Sequence, residues 1–213
     1  MQNLVWAIAF LFTLPAFATN RGLASIPKKI RVEHARELMG KGFERSVVKK
    51  GLETEEVSKH ILETVEEKLP RGYKSLSWAI TQTILEESRK HELDPYFVMA
   101  VIAGESSFNP RARGPVGEIG LMQIRPETGA WMAEMIGLKW KGVRTLRNPV
   151  ENIKLGAAYL SWLREKFDKN GQLYLAAYNM GAKSVRRALD RKIRPKDYPI
   201  HVMKRYLAFY EEL

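Results

Sequence analysis

Apolar residues recur every three or four positions along most of the chain, and this spacing predicts helices. Val32, Ala35, Leu38 and Met39 share one helical face, as do Val57, Ile61, Leu62, Val65 and Leu69, with mostly charged residues between them. The two amphipathic stretches are separated near Gly51, and Pro70-Arg71-Gly72 marks a turn. A longer helix is expected from about Ser77 to Leu93. Asp94-Pro95 then reads as an N-cap and first helical residue, followed by an apolar run from Phe97 to Ala103. A helix that is apolar on every side is a buried one. Asn109-Pro110 ends it, because the residue before a proline disfavours helical backbone. Residues 110–125 are rich in Gly and Arg and carry no helical period. Pro126 opens another helix, expected to end at Gly137. Asn148-Pro149-Val150-Glu151 has the form of a capping box, and its helix carries Ile153, Ala157, Leu160, Leu163 and Phe167 to a stop at Asn170-Gly171. Helices over about 172–178, 182–190 and 199–212 complete an all-α chain without an internal repeat.

The first segment has a different character. Leu4 to Ala18 is apolar throughout and ends in Ala16-Phe17-Ala18, the small-x-small form of a secretory cleavage site, with Pro15 just upstream. It is shorter than the roughly 20 residues a membrane-spanning helix needs. Met1-Gln2-Asn3 supplies no Lys or Arg, so a buried N-terminal helix and an uncleaved anchor stand as alternatives. The expected organisation is a signal peptide over 1–18, a helical extension over 19–75 with a flexible lead-in from Thr19 to Lys29, and a main domain over 76–213. The expected product is exported, and soluble in the periplasm or cell envelope after cleavage near Ala18.

Composition narrows the chemistry. The chain has no cysteine, which excludes a disulfide scaffold, a thiol nucleophile and a Cys-type zinc site. Formal net charge is +11, which attracts polyanions: nucleic acid, anionic lipid, or a wall polymer bearing carboxylates and phosphates. Export makes the last the natural partner. The basic cluster at Arg186-Arg187 and Arg191–Lys196 has none of the interleaved aromatics that single-stranded nucleic acid would require, so no nucleic-acid partner is expected.

His34, His60, His91 and His201 form no HExxH and no paired spacing, so no metal is expected. Gly114, Gly117 and Gly120 match neither a Walker loop nor GxGxxG. Glu105 stands apart. It lies at the C-terminal end of the buried apolar helix, where loss of water and the negative end of the helix dipole both favour the protonated carboxyl. A carboxylic acid that keeps its proton near neutrality suits a general acid in glycosidic cleavage. The alternatives at this position are a helix end facing solvent and an ion pair with Arg111 or Arg113.

Three segments then occur in order: Glu105-Ser106-Ser107-Phe108-Asn109-Pro110, Gly120-Leu121-Met122-Gln123-Ile124, and Ala177-Tyr178-Asn179-Met180-Gly181. Together with Asn152-Ile153, Gly156 and Tyr159-Leu160, they resemble the soluble lytic transglycosylase domain, a lysozyme-like all-α fold, over about residues 76–210. The resemblance implies cleavage of the bond between N-acetylmuramic acid and N-acetylglucosamine in peptidoglycan, without water and without a cofactor. Glu105 would be the acid and then the base as the muramyl 6-hydroxyl closes a 1,6-anhydro ring. Tyr178 would donate to the Glu105 carboxyl. Ser106, Met122, Gln123, Arg125, Asn179 and Tyr206 would line the substrate site, Tyr206 as a C-terminal tyrosine close to the acid.

This sequence departs from the family pattern at several places. Glu118 replaces a usual alanine, as a candidate second carboxylate or as a surface residue, the reading favoured by the outward habit of loop charges. Gly114 replaces a serine, and Arg125 replaces a methionine with a cation suited to a muramyl or peptide carboxylate. Val202-Met203-Lys204 replaces the family's run before the last tyrosine. A lysozyme-like hydrolase and a weakly active wall-binding scaffold of the same fold are the alternatives. A monomer is expected, and the 19–75 extension is a candidate surface for an envelope-machinery protein.

Overall fold

A computed structural model describes residues 22–50 and 54–213. The expected signal peptide and the break near Gly51 lie outside the described residues. Ten α-helices follow one another among those described: α1 (Lys28–Met39), α2 (Thr54–Lys68), α3 (Ser77–Lys90), α4 (Pro95–Ser106), α5 (Pro126–Met135), α6 (Val143–Arg147), α7 (Pro149–Lys166), α8 (Gly171–Met180), α9 (Ala182–Asp190) and α10 (Asp197–Glu211). Short 3-10 turns lie between α1 and α2 and at Arg71–Leu76. Residues 110–125 form the expected irregular loop, with isolated bridges Arg113–Ile119 and Ile119–Ile124. The five-residue α6 was not expected, being too short to display a period.

The core is built around α4. Asp94 caps it, with Oδ1 accepting the N–H of Tyr96 at 2.9 Å, and Pro95 occupies the first turn. Every side chain from Pro95 to Ile102 is buried, as the unbroken apolar run requires. Burial of each large side chain there stabilises the fold by about 1.5–3 kcal/mol. The helix stops at Ser107, which turns into the left-handed region with φ 50°.

Helix α10 lies antiparallel along α4. Tyr198 near its start meets Glu105 at the end of α4, while Tyr206 and Tyr210 donate to Asp94 Oδ2 at 2.8 and 2.6 Å at the beginning of α4. Burial pushes the Asp94 carboxyl up to about 6, although three hydrogen bonds pull against it.

The N-terminal helices share this core. His34 Nδ1 accepts the backbone N–H of Asp94 at 3.0 Å, which leaves the ring proton on Nε2 to face the Tyr174 hydroxyl at 3.1 Å. Arg164 of α7 grips Glu37 of α1 through Nε and Nη2 at 2.6–2.9 Å. His60 of α2 bonds the Tyr96 hydroxyl at 2.7 Å. The lead-in is tied down where it is described: Ile26 is fully buried, and Ala24 donates to Gln82 and accepts from Ser58. Leu23 and Ala24 also pack against the core, apolar anchors that the polar composition of the segment hides.

Candidate active site

Glu105 sits in the last turn of α4, half-buried at one end of a cleft of about 550 Å³. Its Oε1 accepts the Tyr198 hydroxyl at 2.5 Å. Burial pushes the Glu105 carboxyl above the usual range; the Tyr198 bond pulls the other way, and the charge of Glu118 adds to the rise. Among the described residues Glu105 makes no ion pair, neither with Arg111 nor with Arg113.

The loop over 110–125 forms one wall of the cleft, and buried polar bonds fix its shape. Asn152 of α7, fully buried, accepts the Met122 N–H at 2.8 Å and donates to the carbonyls of Ile119 at 2.9 Å and Leu146 at 3.0 Å. The Ser106 hydroxyl lies 2.8 Å from the Leu121 carbonyl and 3.1 Å from that of Ile102. The Tyr178 hydroxyl donates to the Met122 carbonyl at 2.7 Å. Gln123 is held at φ 46°, an uncommon region for a non-glycine residue. Its side chain lines the cleft while Nε2 donates to the Gly120 carbonyl at 2.9 Å.

These bonds revise several expectations. Tyr178 lines the cleft, but its hydroxyl braces the loop instead of donating to Glu105. Met122 is fully buried, and its sulfur fills the space left by the absent side chain of Gly156, so it presents nothing to the cleft. Ser106 faces backbone carbonyls and is not part of the cleft lining. Tyr206 is fully buried against Asp94, at the end of α4 remote from Glu105. The tyrosine that reaches the acid is Tyr198, eight positions earlier on α10, about 12 Å at 1.5 Å per residue. Gln123, Arg125 and Asn179 do line the cleft.

Glu118 also lines the cleft, against the surface reading. Its Oε1 accepts Arg125 Nε at 3.0 Å and its Oε2 accepts the Val116 N–H at 3.1 Å. Although burial works the other way, backbone bonds and the Arg125 guanidinium hold its pKa below the usual carboxylate range. The Glu118 carboxylate lies directly over Gly114, in the space a side chain there would take, with Gln123 Oε1 alongside. Three departures that look separate in sequence are one packed unit.

Two residues went unrecognised as partners of the acid and its loop. Tyr198 carried only the signal of being one of several tyrosines on α10. Asn152 stands beside Ile153 in sequence, and nothing in its spacing signals that its amide holds the loop. The facing wall is aromatic, with Tyr159 and Tyr178 at 5.5 Å between ring centroids. Among the described residues no group of three or more ligating side chains converges as a metal site would need. No helix described is long and apolar enough to cross a membrane.

A family model described as the transglycosylase SLT domain matches residues 82–200. The soluble lytic murein transglycosylase of Salmonella typhimurium is 33% identical over 123 residues, 57% of this chain and 18% of that one. The transglycosylase of Enterobacteria phage PRD1 is 36% identical over 132 residues, 61% of this chain and 43% of its own. The chain thus spans about a fifth of the Salmonella protein and less than half of the phage protein. Among solved structures, the 70 kDa soluble lytic transglycosylase of Escherichia coli superposes with a TM-score of 0.57 at 23% identity, covering 87% of this chain and 29% of that one. An inactive mutant of lytic transglycosylase Slt from Pseudomonas aeruginosa gives 0.54 at 23% identity, covering 89% and 38%. The fold is therefore the all-α, lysozyme-like one of these enzymes, and with more than half of its length matched by the family model, the chain belongs to the transglycosylase SLT family.

Proposed function

We propose that the protein is an exported lytic transglycosylase that cleaves peptidoglycan between N-acetylmuramic acid and N-acetylglucosamine, with Glu105 as its single acid and base. The observation that carries this reading is a carboxyl raised above its usual range by burial, in a cleft, with one hydroxyl aimed at it. A protonated Glu105 gives its proton to the glycosidic oxygen as the C1–O bond breaks. The substrate's acetamido oxygen stabilises the oxocarbenium-like centre. The Glu105 carboxylate then takes the proton of the muramyl 6-hydroxyl while its oxygen attacks C1, closing the 1,6-anhydro ring and restoring the acid. Tyr198 orients the acid, Gln123 and Asn179 meet the sugars, and Tyr178 holds the loop that carries Gln123.

Relatives named soluble lytic murein transglycosylases support the substrate, and a solved neighbour is an inactive mutant made by one Glu-to-Gln change. The apolar segment over 4–18 supports export. A hydrolase would need a second carboxylate free to activate water. Glu118 stands in the same cleft, but both of its oxygens are engaged and its proton affinity is lowered, which makes it a poor base. Clearing of purified sacculi by the wild type and by Glu105→Gln tests the reading. Clearing by the wild type alone supports it, and equal clearing by both removes Glu105 from its role.

A further inference from the structure

The positive charge of the chain is concentrated at one place. Residues 183–204 hold eight Lys and Arg against two Asp, so this short stretch carries more than half of the net +11. On α9, Val185 is buried in the core while Lys183, Arg186 and Arg187 are exposed, which leaves the outer side of the helix cationic. The chain then makes a fixed turn. Lys192 adopts φ 60°, its N–H donates to the Leu189 carbonyl at 2.8 Å, and the Ile193 N–H donates to the Ala188 carbonyl at 2.9 Å. These bonds leave Arg191, Lys192, Ile193 and Arg194 all exposed, Ile193 at 57%. Gln172 Nε2 holds the Pro195 carbonyl at 3.4 Å and also lines an apolar groove of about 410 Å³, so the groove adjoins the turn. Ile200, Met203 and Leu207 line it from one side of α10, and its charged residues are Lys196 and Lys204. None of the eight basic side chains makes an ion pair among the described residues.

We propose that this face docks reversibly on an anionic lipid surface, with Ile193 at the hydrocarbon boundary and the flanking cations on the headgroups. At such an interface an exposed aliphatic side chain leaves water while the long Lys and Arg stems reach the phosphates. Each cation near the surface strengthens binding about fivefold. A soluble polyanion would satisfy the charges and leave Ile193 in water. A helix of a partner protein would fit the groove but not the exposed turn. Asn179, Met180 and Gly181 line the cleft and lead directly into α9, so docking brings the cleft to the strands nearest the membrane. The inference does not depend on the reaction proposed for Glu105.

The chain has no cysteine, so Ile193→Cys accepts a single environment-sensitive dye. Its emission should shift to the blue with vesicles of phosphatidylcholine and phosphatidylglycerol, but not with phosphatidylcholine alone, and the shift should vanish in molar salt. The same dye at Glu134→Cys, an exposed position on α5, should not respond. Arg191→Gln, Lys192→Gln and Arg194→Gln combined should raise the lipid concentration for half the shift about a hundredfold. None of these residues lines the cleft, so cleavage of soluble glycan fragments should keep its wild-type rate. Equal shifts on both kinds of vesicle, or none on either, overturn the proposal. So does an equal shift with polyphosphate or with lipid-free sacculi, which would assign the charges to a soluble polyanion or to the wall. The dye reports the turn itself, so binding through the apolar segment over 4–18 alone leaves it unshifted and counts against the proposal. It decides the question even where the wild type cleaves nothing.

Discussion

The Tyr198 hydroxyl donates to Glu105 Oε1 at 2.5 Å, joining residues 93 positions apart. The contact follows from the antiparallel packing of α10 on α4, fixed at the opposite end by Tyr206 and Tyr210 on Asp94. One helix pair therefore carries a structural anchor at one end and, at the other, the carboxyl proposed as the acid.

Tyr198→Phe removes the bond that favours ionised Glu105, so the carboxyl rises further. The basic limb of the pH–rate profile should move to higher pH, and turnover should fall about tenfold for the loss of one bond to the acid. Tyr178→Phe leaves the Met122 carbonyl without its partner and should cost about 1–2 kcal/mol of stability, with the basic limb in place. Profiles of both variants beside their melting curves separate the two roles.

Glu105 should cost stability at neutral pH. Its folded pKa lies above the unfolded value of 4.5, so the folded state holds the proton more tightly. Stability is lost as pH rises from about 4.5 through the folded pKa, and the loss is constant above it. Glu105→Gln lacks this loss. Its unfolding free energy, measured from pH 4 to 8, should exceed that of the wild type by a margin that opens in that window and then levels off.

Gly114 and Glu118 should behave as a coupled pair. Gly114→Ser places a side chain where the Glu118 carboxylate lies, so it should displace Glu118 and release Arg125. In a Glu118→Ala background the serine should be tolerated. A double-mutant cycle on activity and stability should give a coupling of about 0.5–3 kcal/mol.

Asn152→Ala should be among the most damaging changes outside the acid. It strips partners from the Met122 N–H and from the carbonyls of Ile119 and Leu146, all buried together. A loss on the order of 3 kcal/mol is expected, with poor cleft formation even where the protein remains folded. Denaturant unfolding and glycan binding check the two effects.

The helices were legible wherever a cap and a period coincide: Asp94-Pro95 opens α4 and Asn148-Pro149 opens α7 as read. Glu105 was legible for the same reason, as the one charge at the end of an all-apolar helix. The direction in which each motif residue points was not. Ser106 and Met122 stand in the same short segments as residues that line the cleft yet are not part of its lining, and Tyr178 lines the cleft while its hydroxyl bonds the loop. Tyr198, Tyr206 and Tyr210 lie on one helix, and only its packing against α4 decides which of them meets Glu105 and which meet Asp94. The grouping of Gly114, Glu118 and Arg125 likewise depends on a loop conformation that no periodicity encodes.

The most direct test of the central claim is digestion of sacculi in water enriched in heavy oxygen, followed by mass spectrometry of the released sugar ends. A reaction completed by the substrate's own hydroxyl yields 1,6-anhydro ends that carry no heavy oxygen and are lighter than reducing ends by one water, and that vanish with Glu105→Gln. Reducing ends labelled with heavy oxygen would contradict the account and make a water-activating group, with Glu118 the nearest candidate, part of the mechanism.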